Sequence, residues 1–171
     1  MLNVKIINIC WEKIDYDQVQ IQKLTSKKDF GIYQIYGYHP AYKEDSLLYI
    51  GKASSFSSRL SERFEFLESC SIPRTIRLGR ITNSAQEDDI CNWSFENRDS
   101  IVDIAEKILI KAHAPAFNKQ DNTGLFEPDV NEFGGQHYVI LNWDEFGSLL
   151  PEVSTLRFSF RFYMFEKPLG E

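Results

Sequence analysis

The sequence predicts an α+β fold: a strand hairpin, a helix, a third strand, a second helix and a β-rich C-terminal extension. Three observations carry this prediction. Residues 30–36 and 46–52 are apolar, strand-like runs joined by the polar loop 37–45, which holds Gly37 and Pro40; two such runs around a turn-rich loop read as a β-hairpin. Residues 53–70 and 98–113 carry apolar side chains at helical spacing, and residues 74–82 between them alternate as a strand does. Apolar residues make up 43% of the 171, and aromatics 14%, enough for a packed core and too apolar for a disordered chain.

In chain order, residues 4–11 are rich in β-branched side chains and read as a strand, and residues 15–24 as a short helix. In the hairpin, Tyr33 shares a face with Gly31 and Ile35, and Tyr49 with Leu47 and Gly51, so a paired register points both phenols to one side. A glycine beside each phenol lets another backbone approach closely. Ser54 and Ser55 are candidate N-caps for the next helix, whose stripe is Phe56, Leu60, Phe64 and Leu67. Arg59 and Arg63 lie four apart, on one face beside that stripe, and Pro73 bars the helix from continuing. Residues 83–97 are polar and acidic and read as a loop anchored by Trp93 and Phe95.

Ser100 with Asp103 fits a capping box ahead of the stripe Ile101, Ile104, Ala105, Ile108, Leu109 and Ala112, which Pro115 ends. Glu106 sits at the margin of that stripe. Residues 119–136 read as a long connection, and residues 137–143 and 155–165 as strands with a break at 149–151. The C-terminal strands either extend the core sheet or offer an edge for a homodimer.

Three scattered cysteines, Cys10, Cys70 and Cys91, form no CxxC pair, so neither a zinc site nor a disulfide framework is indicated. No apolar run reaches the length of a membrane span and no signal-peptide pattern opens the sequence; a cytoplasmic protein with reduced thiols is the expectation. The net charge of −6 is unevenly spread: residues 52–80 hold six basic and three acidic side chains, residues 120–171 three basic and nine acidic. The basic excess follows the hairpin, where a phosphate-binding surface would be wanted.

The tripeptides Gly31-Ile32-Tyr33 and Tyr49-Ile50-Gly51, in this setting, resemble the GIY-YIG nuclease superfamily. The resemblance covers about residues 29–119, leaving 1–28 and 120–171 as N- and C-terminal extensions. It is carried by Tyr33 and Tyr49, by Lys52 directly after the second tripeptide, and by Arg59 on the next helix. Glu106 in Ala105-Glu106-Lys107-Ile108-Leu109-Ile110 and Asn118 in Ala114-Pro115-Ala116-Phe117-Asn118 complete it. It implies a small three-stranded antiparallel sheet flanked by helices, and a metal-dependent endonuclease hydrolysing DNA phosphodiesters. Tyr33, Tyr49, Lys52, Arg59, Glu106 and Asn118 are its implied catalytic residues. Many members carry a tyrosine or histidine four residues after the arginine; here that position is Arg63, which cannot exchange a proton at neutral pH.

Phosphodiester hydrolysis needs an activated water, a clamp on the phosphoryl oxygens and relief for the leaving oxygen. In the implied scheme Glu106 holds one Mg²⁺ or Mn²⁺, for which a single carboxylate plus water and substrate oxygens suffices in kind. Arg59 clamps the phosphate bidentately, with Lys52 and Arg63 as further nucleic-acid contacts. Tyr33 activates or orients water, its phenolate stabilised by Lys52; Tyr49 hydrogen-bonds water or phosphate, and Asn118 ties the helix end to the sheet. Each residue alone has an ordinary structural reading: strand tyrosines pack, and lysines, arginines and helix glutamates are solvated. The alternative function is a catalytically weak or inactive module that binds nucleic acid or a protein partner, motivated by Arg63 and the net acidity.

Overall fold

Among the described residues six strands form, most of them with apolar side chains facing a core, and two helices cover them. In the computed structural model, which describes residues 4–15, 24, 30–68, 75–82, 95–118, 133 and 135–155, the strands are β1 (Val4–Asp15), β2 (Gly31–His39), β3 (Lys43–Ala53), β4 (Thr75–Thr82), β5 (His137–Asp144) and β6 (Glu152–Ser154). The helices are α1 (Phe56–Glu68), between β3 and β4, and α2 (Phe95–His113), between β4 and β5. One mixed sheet contains all six strands in the order β3-β2-β4-β1-β5-β6.

This overturns the expectation of an α+β fold built on a small three-stranded antiparallel sheet flanked by helices: the described residues are mostly β, one six-stranded mixed sheet with two helices. The cause is β1. It pairs antiparallel with β4, from Asn8 opposite Thr82 to Asp15 opposite Thr75, and parallel with β5, from Val4 opposite His137 to Trp11 opposite Asp144. Ile7, Ile9 and Trp11 alternate along it into the core, so segments from both extensions are part of the sheet.

The sheet has a core on each face, as the period of two dictates. On one face Tyr33, Ile35, Ile76 and Leu78 pack under Phe56 and Leu60 of α1. On the other, Ile32, Ile50, Ile9 and Trp11 pack against Ile101, Ala105, Ile108 and Leu109 of α2. Gly31 (φ +144°) lets β2 and β4 approach: a Cβ there would stand 2.2 Å from the Gly79 carbonyl oxygen.

The hairpin loop is tighter than the sequence suggested. Strand pairing runs on to His39 opposite Lys43; Lys43 takes a positive φ of 69° as the chain leaves the turn, and Asp45 one of 52° at the adjoining register shift. Helix α2 begins at Phe95, earlier than the polar run 83–97 implied, so Ser100 lies inside the helix and caps nothing. Its end is as expected: Ala114 adopts φ 43°, its N–H bonds to the Ile110 carbonyl at 2.8 Å, and Pro115 follows, a left-handed stop to a helix. The expected helix at 15–24 meets strand at Asp15 and otherwise, Leu24 apart, lies outside the described residues, as do Trp93, most of the connection 119–136 and, Thr155 apart, the strand expected at 155–165.

Candidate functional site

The hairpin register puts Tyr33 opposite Gly51 and Ile35 opposite Tyr49. Tyr33 and Tyr49 therefore point to the same face, and their rings stack with centroids 5.9 Å apart. Gly51 makes room for them. A Cβ at that position would stand 2.6 Å from Tyr49 Cε1 and 2.7 Å from Tyr33 Cζ and Oη.

α1 covers this face and brings two arginines to it. The Arg63 guanidinium lies over the Tyr49 ring at 5.5 Å, a cation–π contact. Arg59 reaches Glu62 at 3.1 Å and, through its charge, the Tyr33 hydroxyl. Tyr33 itself is fully enclosed. Its Oη forms no well-aligned hydrogen bond among the described residues, and neither does the buried Nε of Arg63. Burial pushes the Tyr33 phenol up to about 12; Tyr49 adds to the rise, and the Arg59 and Arg63 charges oppose it. At neutral pH the phenol keeps its proton and is a donor.

Lys52 points to the other face, as strand alternation requires of the residue after Gly51. Its Nζ pairs with Asp103 of α2, while its backbone N–H donates to Glu106 Oε1 at 2.9 Å. Lys52 is therefore not the cation beside Tyr33; Arg59 and Arg63 are. Asn118 is buried and grips Ile50 twice: its Oδ1 accepts from the Ile50 N–H at 3.0 Å, and its Nδ2 donates to the Ile50 carbonyl at 2.8 Å.

A cleft of about 530 Å³ opens where β3 runs into α1, lined by Lys52, Ser54, Ser55, Ser58 and Arg59 on one side and Val102 and Asp103 of α2 on another. Helix α1 has no acidic residue in its first turn, so its N-terminal N–H groups favour an anion there. No family model, no curated protein and no solved structure matches this chain. The chemistry of the cleft rests on its own residues.

Of the residues singled out from sequence, the cleft gathers Lys52 and Arg59 in its wall. Glu106 sits behind Lys52, on its amide. Tyr33, Tyr49 and Arg63 lie on the α1 face with Arg59, and Asn118 holds β3, the strand that carries Tyr49 and Lys52. Two residues were missed. Glu62 follows Arg59 by three, a helical neighbour readable from spacing. Asp103 was read as a cap; its position one turn before Glu106 was the available signal.

The basic excess of residues 52–80 is not gathered at the cleft. Arg77 donates from Nε to the Glu145 carbonyl and stacks on Tyr36 at 4.6 Å, and Arg80 is buried against Glu12 at 2.8 Å. As for a metal, among the described residues no three His, Cys, Asp or Glu side chains converge. Glu106 offers a hard oxygen donor with Asp103 one turn away, which fits in kind an ion that takes most of its ligands from water and phosphate.

Proposed function

We propose that the chain is a metal-dependent endonuclease that hydrolyses DNA phosphodiesters, with the cleft at the β3–α1 junction receiving the scissile phosphate. The observation that carries this is the convergence of Lys52, Arg59, three serine hydroxyls and an acid-free helix start on one cleft. Arginine clamps phosphate through paired N–H donors, and lysine adds a point charge. The ordered match of Tyr33, Tyr49, Lys52, Arg59, Glu106 and Asn118 to the GIY-YIG pattern supports the same reading.

In this mechanism Arg59 binds and orients the phosphate, and Lys52 neutralises its non-bridging oxygens. Arg63, stacked on Tyr49, binds a neighbouring phosphate. Tyr33, protonated, donates to a phosphoryl oxygen or a water once Arg59 moves onto substrate and uncovers it. Tyr49 orients water beside it. Asn118 fixes β3, on which Tyr49 and Lys52 stand. Glu106 is the residue that would hold Mg²⁺ or Mn²⁺, which when bound supplies charge to the leaving oxygen.

A second reading, a binding module with little or no catalysis, is favoured by one observation: Tyr33 is fully enclosed, and burial keeps its phenol protonated at neutral pH, so it supplies no base to activate water. A cleavage screen of plasmid, linear, flap, junction and RNA substrates with Mg²⁺ and Mn²⁺ separates the two. Arg59→Ala and Glu106→Gln are expected to lower DNA cleavage by about a hundredfold or more, with thermal midpoints near the parent's. Full activity in either variant, or activity unaffected by a chelator, removes the nuclease assignment. DNA binding without cutting under every condition selects the module.

A further inference from the structure

Both cations of the cleft arrive already paired. Lys52 Nζ bridges from β3 to Asp103 Oδ1 on α2, and Arg59 Nη1 meets Glu62 Oε2 at 3.1 Å within α1. All four residues line the same cleft. Their side chains are 39% to 64% exposed, so water competes with each pair and neither is locked. The cleft wall thus balances two positive charges with two negative ones in exchangeable pairs, beside serine hydroxyls that can hydrogen-bond whatever enters.

We propose that Asp103 and Glu62 are built-in counter-anions, holding Lys52 and Arg59 until a ligand's phosphates replace them. They thereby restrict the cleft to ligands that present two phosphates together, as a nucleic-acid strand does. The inference rests on the phosphodiester reading of the cleft and names what that reading selects for. A lone phosphate exchanges one anionic partner for another at a single cation and meets the repulsion of the carboxylate it displaces. Its net gain is small. Two linked phosphates replace both carboxylates for one loss of translational freedom, and Arg59 trades a single N–H···O contact for a bidentate one. Glu62 and Asp103 are specificity-determining and positioning residues: they act through Arg59 and Lys52.

Binding by the intact chain, with chelator present to prevent cutting, tests this. The probes are inorganic phosphate and a short DNA duplex. The variants are Asp103→Asn, Glu62→Gln and the double substitution. Glu44→Gln, on the exposed hairpin tip, controls for net charge. The double variant is expected to bind duplex about tenfold more tightly than the parent at low salt, and its salt slope to steepen by about one to two. Inorganic phosphate, scarcely held by the parent, becomes measurably bound, so the preference for duplex over phosphate narrows. Glu44→Gln stays within about twofold of the parent. An unchanged or weakened double variant, or an equal gain from Glu44→Gln, overturns the proposal. If no variant binds duplex yet phosphate binding still rises in the double variant, the counter-anion role stands and the nuclease reading falls. Binding of neither probe by any variant sinks both.

Discussion

His113, the last residue of α2, shows which of two opposing effects governs a side chain. A helix C-terminus favours a cation by about 0.3–1 kcal/mol. Burial works the other way and prevails, pushing the imidazole down to about 4, and its Nε2 is enclosed without a hydrogen-bond partner among the described residues. The unfolded chain therefore takes up the proton first. Stability from this residue is complete above the ordinary histidine value and is lost as pH falls from about 6.5 towards about 4, by about 2–3 kcal/mol. Denaturant titrations at about pH 7.5 and about pH 4.5 should show His113→Gln losing less stability than the parent over that interval. Equal losses would mean that His113 does not titrate out of the fold. At this scale the sequence was informative about direction and silent about cover. Alternation placed Tyr33 and Tyr49 on one side, whereas the enclosure of Tyr33 depends on how α1 lies over it. Lys52 was assigned the wrong partner because Asp103 is 51 positions away and no local pattern joins them.

Among elements, β3 has the most to lose, because it is one margin of the sheet. Between Leu47 and Lys52 its outer edge is nevertheless occupied. Phe117 N–H donates to the Leu48 carbonyl at 2.8 Å, Asn118 holds both polar groups of Ile50, and Glu106 accepts from the Lys52 amide. The segment after α2 thus closes an edge that would otherwise invite another strand. Asn118→Ala strands the Ile50 N–H and C=O in a buried setting and is expected to cost about 2–4 kcal/mol. Hydrogen exchange at the Ile50 amide should accelerate more than at Ile9 in the middle of the sheet; a uniform change at both would assign Asn118 no special hold on the edge. Glu106→Gln keeps a carbonyl oxygen for the Lys52 amide, so that substitution probes charge without opening the strand. Periodicity revealed the hairpin, both helices, β4 and β5, since each has a clean period of its own. It misplaced the start of α2, where Phe95 stands in a polar run, and it gave no hint of the three-residue β6, which is too short to show a period.

For the whole molecule, the position of β1 decides what can fold alone. It lies between β4 and β5 and contributes Ile7, Ile9 and Trp11 to the larger core. A chain cut to residues 29–119, the span of the family-like motifs, would expose one side of β4 and the apolar face of α2 together. It is expected to lack cooperative unfolding and dispersed amide resonances. A well-folded fragment would show that β1 and β5 only decorate a self-sufficient core. Long-range pairing of this kind is invisible to local patterns: residues 4–11 read as a strand, but nothing in them says that their neighbours are residues 75–82 and 137–144. The described helices include none long and apolar enough to cross a membrane.

The same arrangement sets a schedule for synthesis. β1 leaves the ribosome before both of its neighbours, and its parallel partner begins about 120 residues later, which at about 5–20 residues per second is a wait of roughly 6–24 s. Its antiparallel partner β4 arrives about halfway through that interval, so one flank of this isoleucine-rich strand can close early while the other stays open until β5 is made. A chain released before residue 144 therefore leaves β1 without its parallel neighbour, and the sheet is completed across that flank last.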